Sequence, residues 1–176
     1  MGDECIKKIE TRQSIRKFTG ETISESEILK IVKTGLSAPS AGNKQPWRIV
    51  LVTDADQKER LVSAVLGQSF IKQAALIIVV CAVPQESAER YGERGSSLYV
   101  FQDTAALTQN ILLAAHMRGY GACWVGAFDE SAVRKILNIP EGMRPVSLIP
   151  IGKISGGLPN PRPRRQISEI MTRDSF

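Results

Sequence analysis

The sequence contains one histidine, three cysteines and few aromatic residues, and each shortage argues against a class of functional site. His116 lies within an apolar segment, where we expect a packed or partly exposed helical histidine; any Ser-His-Asp or Cys-His arrangement would have to use it. Cys5, Cys81 and Cys123 fit no metal-binding spacing, and we interpret them as reduced thiols without a chemical role. Aromatic residues make up 6% of the chain, too few beside the basic residues for a nucleic-acid surface.

Nucleotide-binding glycine motifs and long apolar runs are also missing. The glycines of "GYGACWVG" do not form G-x-G-x-x-G, and they follow a predicted helix where that motif would open one. No apolar run reaches about 18 residues, the length that spans a bilayer, and no secretory apolar region stands at the start. We therefore expect a cytoplasmic protein that does not bind membranes. If it is an enzyme, a bound cofactor carries the chemistry, because acid–base side chains are poorly supplied.

The remaining composition is typical of one globular domain, with 176 residues, 43% hydrophobic and 23% charged. Ser24 and Glu27 are spaced as a capping box at the start of a helix. The polar stretch 84–97 contains proline and glycine, and we interpret it as a surface loop. Apolar periodicity predicts helices over 3–11, 24–38, 56–67, 98–119 and 130–137, and strands or extended segments over 48–53, 75–83, 122–128 and 144–152.

The stretch 75–83 is apolar throughout and does not alternate, which is typical of a strand covered on both faces. Helical segments lie between the predicted strands. The fold class is therefore α+β or α/β, with helices on both faces of one sheet. The small and polar residues 37–46 precede the first strand; they could be a connection or a surface for a flat ligand. We expect Trp47 to anchor this loop in the core; stacking on such a flat ligand is the alternative.

The net charge of +5 fits nucleic acid, anionic lipid or one or two sites for small anions. The placement of the arginines is more informative than the total. Arg12 and Arg16 lie four residues apart, and a proline-rich segment near the C-terminus holds Arg162, Arg164 and Arg165. The planar guanidinium group donates two parallel hydrogen bonds to phosphate. A solvated basic tail is the alternative interpretation.

Four motifs in order resemble the FMN-dependent nitroreductase family. They are R-x-S-x-R-x-F at Arg12–Phe18, "APSAGNKQPW" at Ala38–Trp47, "QNILLAAHMRGYGACWVGAF" at Gln109–Phe128, and the arginine pair near the C-terminus. The resemblance runs from about residue 9 to 170. It implies a nitroreductase-like α+β (α/β) fold, a dimer whose central mixed sheet is covered by helices on both faces. Residues 1–176 would form a single FMN-binding domain, with 155–176 as an extended C-terminal arm.

The resemblance also implies that FMN lies at the interface of a homodimer. Arg12 would hold the phosphate together with Arg162 and Arg164, and Ser14 would contact the ribityl or polar flavin edge. Arg16 would lie near N1 and the C2 carbonyl, where a fixed cation favours reduction. The implied cofactor-binding residues are Arg12, Gln13, Ser14, Arg16, Pro39, Ser40, Ala41, Asn43, Gln68, Gly126, Ala127, Arg162 and Arg164. Arg165 is offset by one position and would point elsewhere.

The remaining cofactor contacts implied by the family come from three other segments. Pro39–Asn43 would lie against the flavin held mainly by the other subunit. Gly126 and Ala127 mark the place where a backbone N–H points at flavin N5. Gln68 would reach the pyrimidine edge, with Lys72 as a nearby cationic alternative.

The activity implied by the family is ping-pong hydride transfer. NADH or NADPH would donate a hydride through flavin N5 to a nitroaromatic, a quinone or a similar small oxidised acceptor, without a catalytic side chain. Flavin destruction, reductive dehalogenation and non-catalytic flavin binding remain alternatives. Many relatives carry a longer helical insertion where this chain has only 84–97. That difference implies a more open pocket, bordered by Tyr91 or Tyr99.

Overall fold

Four strands form the sheet of the protein, whose computed structural model describes residues 2–176. They are β1 (Trp47–Val52), β2 (Leu76–Ala82), β3 (Gly121–Ala122) and β4 (Arg144–Gly152). Their order across the sheet is β1-β2-β4-β3, and all three pairings are antiparallel. The resemblance implies a mixed sheet, and among the described residues the parallel contribution is the isolated bridge between Ser14 and Ala122.

Six α-helices flank the sheet in the described residues, and all but one of them, α4, were predicted. The α-helices are α1 (Gly2–Thr11), α2 (Glu25–Gly35), α3 (Ala55–Ala64), α4 (Pro84–Arg94), α5 (Val100–Met117) and α6 (Glu130–Ile136). Short 3-10 turns occur at Ala41–Asn43, Ser69–Gln73 and Ile167–Glu169, and a π-helical turn at Gly95–Tyr99 joins α4 to α5. Among the helices of residues 2–176, none has the length and apolarity that a bilayer crossing requires.

Strand β2 is buried on both faces, as predicted, because helices cover each side of the sheet. One face of the strand, which includes Ile78, packs with α2 and α5 through Ile31 and Ile111. The other face, which includes Val79, packs with α3 and α6 through Leu61 and similar side chains. Alternate residues of a strand point to opposite faces, so a strand with apolar neighbours on both sides carries no polar position.

The prediction of a surface loop over 84–97 is wrong, because helix α4 and the π-helical turn occupy this stretch. Pro84 stands at the first helical position, where a missing N–H leaves no hydrogen bond unmade. Gly92 has φ 56° and ψ −142°, a conformation open almost only to glycine, and it kinks the helix near its end. The polar composition reflects an exposed helical face and not an irregular loop.

The capping box predicted for α2 is half correct. Ser24 Oγ accepts a hydrogen bond from Glu27 N at 3.4 Å, as expected of an N-cap. The Glu27 carboxylate does not return to the cap; it accepts from Lys30 Nζ at 2.8 Å and from Arg118 Nε at 2.7 Å. Two cations therefore compete successfully for the side chain that would have closed the box.

Gly35, at the end of α2, lets this helix approach α5 closely. A Cβ atom at this position would lie 2.5 Å from Ile111 Cγ1. We expect Gly35→Ala to lower the free energy of unfolding by about 1 kcal/mol, because the overpacking cost exceeds the gain in helix propensity. Thermal denaturation measures the loss, and Gly157→Ala, which meets nothing within 4 Å, is the control. Equal stability of the Gly35 variant and wild type would contradict the close approach.

Candidate functional site

A cleft between the segment after α1 and the C-terminal arm brings four arginines together. Its volume is about 310 Å³, and its lining consists of Arg12, Gln13, Ser14, Arg16, Pro159, Asn160, Arg162 and Arg164. Within residues 2–176, none of these four guanidinium groups forms an ion pair with a carboxylate. Unpaired cations that converge on one cleft attract an anion, and arginine suits a phosphate group.

The segment after α1 lies against the sheet at Ser14 and Ile15, and this pairing sets which of its side chains face the cleft there. Ser14 pairs with Ala122, and Ile15 N donates to Ala122 O at 2.9 Å. Ile15 points inward and is buried with Phe18. Ser14 and Arg16, which stand on either side of Ile15, therefore point into the cleft, because successive side chains of an extended backbone point in opposite directions.

A second hollow of about 500 Å³ continues from the arginine cleft, because Ser14, Arg16, Pro159 and Asn160 line both. Its further walls include the apolar side chains of Ile154 and Leu158. The combined space has a cationic end and a partly apolar end. Such a space suits a ligand that joins an anionic group to a larger uncharged body.

The C-terminal arm is exposed from residue 156 to 176. It carries large apolar side chains in water, namely Leu158, Ile167, Ile170, Met171 and Phe176. Further exposed apolar side chains lie on α1, α2 and the end of α5: Ile6, Ile9, Leu29, Leu36 and Met117. The arm is irregular apart from the 3-10 turn at Ile167–Glu169, and its contribution to the cleft comes from Pro159, Asn160, Arg162 and Arg164.

The loop residues Pro39, Ser40, Ala41 and Asn43 do not line the arginine cleft; their loop contacts α5 through Ala41 and α4 through Gly42. Ala41 N donates to Asp103 Oδ1 of α5 at 3.0 Å. Ser40 Oγ accepts from the backbone N of Gln45 at 3.0 Å, and Asn43 Oδ1 accepts from Gln45 Nε2 at 3.3 Å. Within one chain the loop and the four arginines are thus separate parts of any common site.

A third part of any common site consists of Gly126, Ala127 and Gln68. Gln68 Nε2 donates to Ala127 O at 3.0 Å, so the amide side chain and the extended segment lie together. Gly126 and Ala127 are exposed, and their backbone N–H groups form no hydrogen bond within residues 2–176. These donors are available to a ligand. Lys72, the alternative to Gln68, is engaged with Glu59 Oε2 at 3.2 Å.

Asp103 is a residue that the sequence reasoning missed. It is 6% exposed, and while Oδ1 accepts from Ala41 N, Oδ2 has no hydrogen-bond partner. Burial raises the pKa of this carboxyl, against the lowering effect of the Ala41 N–H. Its signal in the sequence was that it is the one acidic residue of a long, mainly apolar helix. Pro159 and Asn160 of the cleft were also missed, although they neighbour the predicted Arg162.

Trp47 is buried in the core at 5% exposure, so it anchors the loop as expected. Trp124 was not singled out by the sequence, yet it is 40% exposed beside Gly126. Tyr91 and Tyr99 pack against each other, and Tyr91 reaches Gly42. Their predicted place beside the pocket stays a prediction.

His116 and two of the three cysteines are partly or fully buried, and Cys5 is exposed on α1. His116 Nε2 lies 3.3 Å from Thr11 Oγ1, and burial, together with Lys8 and Arg12, lowers the pKa of the imidazole. Burial raises the pKa of Cys81 to about 11 and also raises that of Cys123. In the described part of the chain, no three His, Cys, Asp or Glu side chains cluster as metal ligands.

Comparison with known proteins gives consistent matches. The model of the Nitroreductase family matches residues 9–69 and 63–153. A protein of Archaeoglobus fulgidus named "Putative NADH dehydrogenase/NAD(P)H nitroreductase" is 38% identical over 154 residues, which cover 85% of each chain. The NADPH-flavin oxidoreductase of Vibrio harveyi is 32% identical over 79% of this chain and 61% of its own length.

The solved structures agree with this relationship. The NADPH:FMN oxidoreductase of Vibrio harveyi, complexed with NAD+, superposes with a TM-score of 0.88 at 26% identity. The superposition covers 98% of this chain and 77% of that one. The sequence match and the shared fold lead to the same conclusion: this chain belongs to the nitroreductase family.

Proposed function

We propose that this chain is an FMN-dependent NAD(P)H oxidoreductase that reduces a small oxidised acceptor such as a nitroaromatic or a quinone. The observation that carries the proposal is the cleft in which Arg12, Arg16, Arg162 and Arg164 converge without a carboxylate partner. The relatives named NADPH-flavin oxidoreductase and NADPH:FMN oxidoreductase support FMN as the ligand and NAD(P)H as the donor. We place the enzyme in the cytoplasm and treat residues 1–176 as one domain.

The donor set of the cleft fits FMN. Three guanidinium groups, those of Arg12, Arg162 and Arg164, supply the forked donors that a phosphate accepts. Gln13 and Ser14 add neutral polar groups suited to the ribityl hydroxyls. Arg16 lines both the arginine cleft and the hollow beside it. A fixed positive charge there would favour the negative charge that the isoalloxazine gains at N1 on reduction.

We propose that two copies of the chain complete each site. The loop Pro39–Asn43 lies away from the arginines of its own chain, so it would contact flavin held by the other subunit. The φ of Gly42 is 55°, and its lack of a side chain makes room for Tyr91 and Arg90 of α4, so the flavin contact would come from the neighbouring loop residues. The exposed apolar side chains of the arm and of α1 and α2 would be covered in such a homodimer.

Bound FMN would supply the redox chemistry, taking a hydride from NAD(P)H at N5 and passing it to the acceptor in a ping-pong cycle. The chain's own part is to hold and orient. The unbonded N–H groups of Gly126 and Ala127 would donate to the flavin near N5, and Gln68 steadies that segment through Ala127 O. No catalytic side chain is needed, and burial raises the pKa of the Cys81 and Cys123 thiols, which disfavours their reactive thiolate form.

The test is a spectroscopic one on the purified protein. We expect yellow absorbance with FMN, anaerobic bleaching by NADH or NADPH, and recovery of the colour on addition of a nitroaromatic or a quinone. A protein that gains no flavin absorbance would refute the proposal, and one that binds FMN without bleaching would be a flavin-binding protein only. Sedimentation tests the shared site, since a monomer with tightly bound FMN contradicts it.

A further inference from the structure

The junction of α4 and α5 gathers two arginines and two tyrosines into one cluster. The rings of Tyr91 and Tyr99 meet edge to face, with centroids 5.2 Å apart. Arg90 Cζ lies 5.4 Å from the centroid of Tyr91, and Arg94 Cζ lies 5.3 Å from that of Tyr99. Arg94 Nε also donates to the Tyr99 hydroxyl at 2.9 Å, which leaves its two terminal amino groups unused.

The charge of this cluster is unbalanced. Within residues 2–176, neither Arg90 nor Arg94 forms an ion pair. Of the acids of α4, Glu86 pairs with Arg48 and Glu89 pairs with Lys44 at 3.0 Å, while Glu93 forms no ion pair within residues 2–176 and offsets part of the charge. The two guanidinium groups are held by stacking on tyrosine rings, which orients them without neutralising them.

The backbone conformation at Gly95–Tyr99 brings the side chains of the cluster together. Gly95 packs against the Ser87 carbonyl so closely that any side chain would collide with it. The wide π-helical turn Gly95–Tyr99 follows and sets Tyr99 beside Tyr91. Such π-turns are frequent at functional sites.

The cluster adjoins the loop that the proposed function places on the flavin. A Cβ atom at Gly42 would lie 2.5 Å from the Tyr91 hydroxyl and 2.7 Å from Arg90 Nη1. Arg90 and Tyr91 therefore cover Gly42 directly. A ligand that reaches the flavin past this loop meets two oriented cations and two aromatic rings.

We propose that Arg90, Tyr91, Arg94 and Tyr99 bind a phosphate monoester carried by a planar aromatic ligand. The guanidinium groups take the phosphate, and the tyrosine rings contact the planar system. Two ligands of this reaction share that chemistry: NADPH, through its adenosine 2′-phosphate, and free FMN used as an acceptor, through its 5′-phosphate. The inference rests on the proposed function, because the loop contact ties the cluster to the flavin.

Two matched pairs of ligands, each differing by one phosphate, test the inference. The donor arm compares NADPH with NADH by the apparent dissociation constant for anaerobic reduction of the bound FMN. The acceptor arm compares the KM of free FMN with that of riboflavin. The variants are Arg90→Gln/Arg94→Gln and the two single replacements Arg90→Gln and Arg94→Gln, and Arg60→Gln, at an exposed position of α3, is the control that matches the charge change of each single replacement. Calorimetric titration with adenosine 2′,5′-bisphosphate and with AMP repeats the donor comparison without flavin chemistry.

We expect wild type to favour the phosphorylated member of one pair by at least about tenfold, the worth of one hydrogen-bonded charge pair. The double variant should lose that preference and keep its affinity for the unphosphorylated member, while Arg60→Gln changes neither. Loss in the donor arm identifies NADPH, and loss in the acceptor arm identifies the free flavin. The inference is overturned if wild type shows no preference for the phosphorylated member of either pair. It is also overturned if the double variant keeps that preference. Failure of the proposed function looks different, since neither dinucleotide would then bleach the protein.

Discussion

Replacing Arg12 and Arg162 together with glutamine is expected to weaken FMN binding by about a hundredfold or more. Each guanidinium would lose a charge-assisted contact with the phosphate worth about 1.5–3 kcal/mol, and about 1.4 kcal/mol corresponds to tenfold in affinity. The fold should survive, because neither arginine pairs with a carboxylate within residues 2–176. Fluorescence titration of the apoprotein with FMN measures the loss.

Two controls separate the phosphate contact from a general effect of charge. Arg165→Gln removes the same charge from the same arm, but Arg165 does not line the cleft and should leave affinity nearly unchanged. Riboflavin lacks the phosphate and should bind more weakly than FMN. Its affinity should be the same for the double variant and for wild type. If riboflavin and FMN lost affinity equally, the arginines would not be phosphate ligands.

Asp103→Ala is expected to destabilise the protein by about 1–3 kcal/mol relative to Asp103→Asn, since it leaves the Ala41 N–H without an acceptor. Asparagine keeps an oxygen for that N–H and replaces the unpartnered Oδ2 with an uncharged group. Denaturant unfolding compares the two variants. Hydrogen exchange at Ala41 and Gly42 should become faster in Asp103→Ala only. FMN affinity should fall with it, because the loop loses its anchor.

The pH dependence of the same pair has a definite sign. Burial raises the pKa of Asp103 in the folded protein above its ordinary value of 3.8, so the folded state holds this proton more firmly than the unfolded state. Its contribution to stability is therefore greatest in acid and is lost as the pH rises through the raised pKa. Asp103→Asn lacks this effect. The stability of the variant relative to wild type should increase over that pH range and level off above it.

A flat difference between Asp103→Asn and wild type across the acid range would show that the carboxyl is not perturbed. Equal stability of the alanine and asparagine variants would show that the bond to Ala41 contributes nothing. The two results are independent, because one concerns the charge of Oδ2 and the other concerns the acceptor Oδ1.

The sequence predicted what depends on local pattern and left out what depends on neighbours in space. The continuous apolar run of β2 is enough to predict burial on both faces, and the arginines at 12, 16, 162 and 164 form one cleft. The exposed helix α4 was interpreted as a loop, because proline and glycine, here Pro84 and Gly92, are common both in loops and near the ends of helices. Asp103 could not be assigned a partner, since the backbone of Ala41 leaves no mark in a sequence.

The anion cleft takes its arginines from the segment around residue 12 and from the arm around residue 162, which are far apart in the sequence. A phosphate held between them, as proposed, would act as a non-covalent link across the fold. Closing so long a loop is costly in the unfolded chain, so the link can form only after the sheet has brought the two segments together. The cofactor would therefore bind late, after the sheet has formed. Circular permutation, which joins the ends and opens the chain elsewhere, would turn the same two segments into a local pair.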